Sequence, residues 1–94
     1  MTTYFSKTET IMSEIRILGV MVANRSEAAL KVQQILTRYG CSIKTRLGLH
    51  EFELDNCQDC GLIILELIGD PNECMRLENE LWAVEGTRVQ KMIF

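Results

Sequence analysis

The 94-residue chain has one proline, one histidine, no strongly basic segment and no long apolar run. With His50 as its only imidazole, one copy cannot build a histidine-rich metal site. The longest mostly apolar stretch free of charge, Ile17 to Ala23, falls far short of the ~20 residues that a membrane-spanning helix needs. The opening residues Met1 to Ser13 are polar and threonine-rich, without the basic and then apolar regions of a secretory signal, so the expected compartment is the cytoplasm. Ten Lys and Arg against thirteen Asp and Glu give a net charge of −3, a field that repels phosphates, and direct binding to nucleic acid is not expected. Ser, His and acidic side chains form no recognisable nucleophile arrangement, so the chain does not read as an enzyme.

What is present reads as one domain over residues 14–94 behind a flexible N-terminal extension over residues 1–13. Met12, just before the first apolar run, is an alternative start to Met1. Glu14 to Ala23 is rich in Ile and Val, with Arg16 its only interior charge, and predicts a strand ended by Asn24-Arg25. Ser26 is a good N-cap, and Ala28, Val32, Ile35, Leu36 and Tyr39 repeat at helical spacing as far as Gly40. Cys41, Ile43, Thr45, Leu47 and Leu49 then alternate with polar residues or glycine, predicting a second strand with one half-buried face. A polar connection from Phe52 to Cys60 leads to Leu62–Ile68, apolar on both sides except at Glu66. Asp70-Pro71 starts a second helix carrying Cys74, Leu77, Leu81 and Val84 on one stripe, expected to run to about Glu85. Thr87 to Phe94 is the last strand.

The order βαββαβ predicts an α+β, ferredoxin-like fold, a four-stranded antiparallel sheet with two helices on one face. The first and third strands are apolar on both sides, and helices on one face cannot hide both. Leaving several aliphatic side chains in water would forgo several kcal/mol at ~25 cal/mol per Å², so a homo-oligomer, dimer or tetramer, built through the sheet is expected.

Ile17 to Arg25, Lys31 to Leu36 with Tyr39-Gly40, Arg46-Leu47-Gly48-Leu49 and Gly61 to Leu65 together resemble the family of iron-only hydrogenase system regulators, over about residues 14–94. The resemblance implies an ACT-like fold, similar to the C-terminal metal-sensing domain of nickel-responsive repressors, and regulation by ligand binding and assembly. It does not carry a nickel site across, because those repressors use several histidines. Nor does a DNA-binding half precede the first strand, where only residues 1–13 stand, so regulation would act through a partner protein or a separate DNA binder.

Two groups of residues are candidate sites. Asn24, Arg25 and Ser26 set backbone N–H donors beside a guanidinium at a helix start, chemistry suited to a carboxylate or phosphate. ACT domains resembling this chain often bind small ligands near that turn, although the glycine many of them have there is missing. Arg46, Gly48 and His50 join this ligand-binding set through the resemblance, and Gly48 within a strand suggests a bulge or a close backbone approach. The other group is Cys57 and Cys60, two thiolates able to chelate one soft ion, with His50 as a third ligand for zinc or iron. A small metal- or redox-binding protein is therefore the alternative reading, with Cys41 and Cys74 expected in the core.

Overall fold

Exposure alternates along the first strand, Arg16, Leu18, Val20 and Val22 buried and Ile17, Gly19 and Met21 half-buried, and this alternation sets the architecture. The computed structural model describes residues 14–23, 26–50 and 61–94, with Ser26, Leu49 and His50 described by backbone alone. The N-terminal extension lies outside the described residues. The elements are β1 (Arg16–Val22), α1 (Ser26–Arg38), β2 (Ile43–His50), β3 (Gly61–Leu67), α2 (Pro71–Trp82) and β4 (Thr87–Ile93). The four strands form one sheet in the order β2-β3-β1-β4, every pair antiparallel, and both helices pack on the same face.

The core lies between that face and the helices. Leu18 and Val20 of β1, Leu65 of β3 and Leu77 and Leu81 of α2 are fully buried, joined by Val32 and Leu36 of α1 and Val89 of β4. The helical stripes predicted from spacing are the buried ones, including Ala28, Ile35, Cys74 and Val84. Asp70 caps α2, its carboxylate accepting from Asn72 N at 2.9 Å, and Pro71 fills the first helical position, where no N–H is needed. Gly69 and Gly86 adopt φ of +88° and +93°, the left-handed turns before and after this helix.

Three expectations need correction. The second helix ends at Trp82 rather than near Glu85, because the chain tightens into a turn there and the Thr87 hydroxyl lies 2.8 Å from the carbonyl oxygens of Leu81 and Val84. Cys41 is exposed, not core-facing, since Gly40–Ser42 form a 3₁₀ turn before β2 begins. The irregularity in β2 falls between Ile43 and Thr45, not at Gly48. That bulge breaks the expected single face. Ile43 pairs with Leu67 and packs on the core, whereas Leu47 pairs with Ile64 and is exposed.

Candidate functional site

The end of the sheet where β1 leads to α1 places one predicted ligand residue, His50, by register. Gly61 at the start of β3 lies opposite Val22 of β1 on one side and His50 of β2 on the other. Asn24 and Arg25 lie outside the described residues, as do Cys57 and Cys60. Ser26 begins α1 and His50 ends β2. Among the described residues, no group of three or more His, Cys, Asp or Glu side chains is placed to hold a metal ion.

Arg46 and Gly48 are fully placed. The β2 bulge turns Arg46 to the helix side, in register with Leu65, where its guanidinium donates to Gln33 Oε1 on α1. Gly48 pairs with Ile63, and among the described residues a Cβ built on it would meet no atom within 4 Å. The close approach expected at Gly48 is therefore not made by the described residues.

The face turned away from the helices is apolar on β1 and β3 except at Glu66, and its outer strands add Leu47 and Met92 beside the polar Thr45, Arg88 and Gln90. Ile17 and Met21 of β1 and Leu62 and Ile64 of β3 are half-buried, while Leu47 of β2 is 52% and Met92 of β4 is 56% exposed. Glu66 interrupts this surface and is held by its neighbours at the bulge, accepting from Thr45 Oγ1 at 3.0 Å with Lys44 Nζ 3.9 Å away.

A second feature has no counterpart in the sequence reading. At the opposite end of the sheet, Glu14, Arg16, Leu67, Ile68, Pro71 and Cys74 line a cavity of about 270 Å³. Arg16 stands on the core side of β1, its side chain 10% exposed, and its guanidinium donates to Glu14 Oε1 at 2.9 Å. Burial pushes the Cys74 thiol above its ordinary pKa of 9.0, an effect opposed by the neighbouring Arg16 charge. The thiol lies 3.5 Å from the Ile68 carbonyl oxygen. The signal that could have found this site was the position of Arg16, which falls on the same side of its strand as Leu18, Val20 and Val22.

No protein-family model matches the chain, and no curated protein matches it in sequence. Solved structures do. An uncharacterized protein from Thermotoga maritima superposes with a TM-score of 0.74 at 23% identity, covering 87% of this chain and 99% of that one. The ACT domain of GTP pyrophosphokinase from Chlorobium tepidum gives 0.62 at 10% identity, over 85% of this chain and 100% of that one. A nitrogen regulatory PII-like protein from Thiomonas intermedia, in that structure bound to ADP, AMP and bicarbonate, gives 0.57 at 12% identity, over 87% and 93%. These likenesses are of fold. The chain is an α+β domain of the ferredoxin-like, ACT-like class, and among the described residues no helix is long and apolar enough to cross a membrane.

Proposed function

We propose that the chain is a non-catalytic, cytoplasmic, ACT-like regulatory domain that assembles with copies of itself through the outer sheet face and responds to a small ligand or a partner protein. The observation that carries this reading is that face, on which all four strands expose apolar side chains. A two-fold partner presenting the same face would bury Ile17, Met21, Leu62 and Ile64 at once. Charge favours this face over the helices. The outward sides of α1 and α2 carry Lys31, Gln34, Arg38, Glu73, Arg76 and Asn79, and their exposed apolar residues Leu30, Met75 and Trp82 stand among these charged and polar side chains.

Small-ligand recognition is assigned to Asn24, Arg25 and Ser26 with Arg46, Gly48 and His50, the last three on the strand that flanks β3. The exposed guanidinium of Arg46, and the lack of any described atom within 4 Å of a Cβ at Gly48, suit an anionic ligand or a second copy at that edge. The family resemblance extends the proposal to an iron-only hydrogenase system, with no direct contact to DNA.

Metal analysis of full-length protein purified without chelator, combined with capture of partners from native cells, tests the reading. The proposal expects no stoichiometric metal and expects hydrogenase-maturation or redox proteins among the captured partners. Stoichiometric zinc or iron that is lost in Cys60→Ser would instead support the metal-binding alternative built on His50, Cys57 and Cys60.

A further inference from the structure

A guanidinium has five N–H donors, and burying it is costly unless they are used. Arg16 is nine-tenths buried, yet among the described residues its side chain makes one hydrogen bond, from Nη2 to the half-exposed Glu14 carboxylate. The rest of its donor fork has no protein acceptor there, and the side chain lines the cavity between the start of β1, the end of β3 and the first turn of α2. Planar forks of this kind match a carboxylate through two parallel hydrogen bonds.

We propose that this cavity binds a small monocarboxylate with an apolar tail, its carboxylate on Arg16 and its tail against Leu67, Ile68 and Pro71. The charge follows from the surroundings. Glu14 already occupies one edge of the guanidinium, and Asp70 stands at the α2 N-terminus, so a second negative charge on the ligand would be repelled. The helix start adds little, because Pro71 has no N–H and the Asn72 N–H is taken by Asp70. Recognition therefore rests on Arg16. Size is consistent with this class, since 270 Å³ is roughly nine times the ~30 Å³ share of one water molecule. The site lies within one copy, and the length of β1 separates it from the start of α1 at Ser26, so it stands independently of the assembly and ligand reading above.

Amide-detected NMR titrations of the full chain with sodium acetate, sodium butyrate and sodium phosphate, at matched ionic strength, test the proposal. Saturable shifts are expected at the Gly69 and Cys74 amides and at Arg16 Nε–H, with butyrate binding more tightly than acetate and acetate more tightly than phosphate. Arg16→Lys should weaken butyrate at least tenfold and Arg16→Met should abolish the shifts, whereas Lys31→Gln, on the outward side of α1, should leave them unchanged. If Arg16→Met does not fold, Arg16→Lys decides, because it keeps the charge and loses the fork. Absence of saturable shifts in the parent chain, unaltered affinity in Arg16→Lys, or phosphate binding more tightly than butyrate would overturn the assignment. Light scattering on the same samples reports assembly separately, so failure of one reading is distinguishable from failure of the other.

Discussion

Lys91 of β4 reaches across the edge of the core to Glu78 of α2, its Nζ 3.3 Å from Oε2 and 3.5 Å from Oε1. Glu78 is a buried acid on the core side of the helix, 8% exposed, and Lys91 is the cation that makes its burial tolerable.

Removing Lys91 should therefore cost more than its own exposure suggests. Lys91→Met leaves the Glu78 carboxylate buried without its counter-charge and is expected to destabilise by about 2 kcal/mol. The double variant Glu78→Leu with Lys91→Met should recover most of that loss, since it removes both charges together. Urea unfolding of the two variants checks the order.

Backbone conformation gives a second test. Gly86 holds φ +93°, and a Cβ there would meet Ala23 Cβ and Ala28 Cβ at 3.7 Å, ordinary contact, so the cost of Gly86→Ala lies in the left-handed backbone. A loss of about 1–2 kcal/mol is expected. Gly48→Ala, with no described atom within 4 Å of its Cβ and without a positive φ, should change stability by less than about 0.5 kcal/mol. Thermal unfolding distinguishes them. A large loss at Gly48 would show a close approach made outside the described residues.

Tyr39 at the end of α1 donates its hydroxyl to Glu80 on α2, and the same carboxylate accepts from Arg38. The hydrogen bond to Glu80, followed by burial, raises the phenol above its ordinary 10.0. Because the folded value exceeds the unfolded one, the stabilising contribution of Tyr39 is complete below pH 10 and is lost as pH rises through the raised value. Tyr39→Phe should remove a phenolate absorbance transition centred above pH 10, and Glu80→Gln should bring that transition down toward 10.

The element order was legible because each segment carries its own signal. Asp70-Pro71 marks a helix start, Val32, Ile35 and Leu36 keep the helical period, and the strands of Ile17 and Ile63 are apolar enough to be central. The β2 bulge was not legible. Lys44, Thr45 and Arg46 look like regular alternation, and one extra residue in the ladder leaves no mark in composition, yet it decides that Arg46 turns toward Gln33 and Leu47 away from the core. Arg16 was visible only as a charge in an apolar strand. Its burial depends on which side of β1 the helices cover, a tertiary fact. Of the candidate sites, Arg46 and Gly48 can be placed in full, while Asn24, Arg25, Cys57 and Cys60 fall outside the described residues.

The central claim is assembly through the sheet face on which Ile64 stands opposite Gly19, next to Leu47 and Ile17 and away from both helices. Val20 belongs to the buried core, so Ile64 is the residue that tests the face without emptying the interior. Sedimentation equilibrium at tens of micromolar compares the parent chain with Ile64→Lys and Arg76→Glu. The account predicts a dimer or tetramer for the parent and for Arg76→Glu, and a folded monomer for Ile64→Lys. A monomeric parent chain, or a fully associated Ile64→Lys variant, would contradict it.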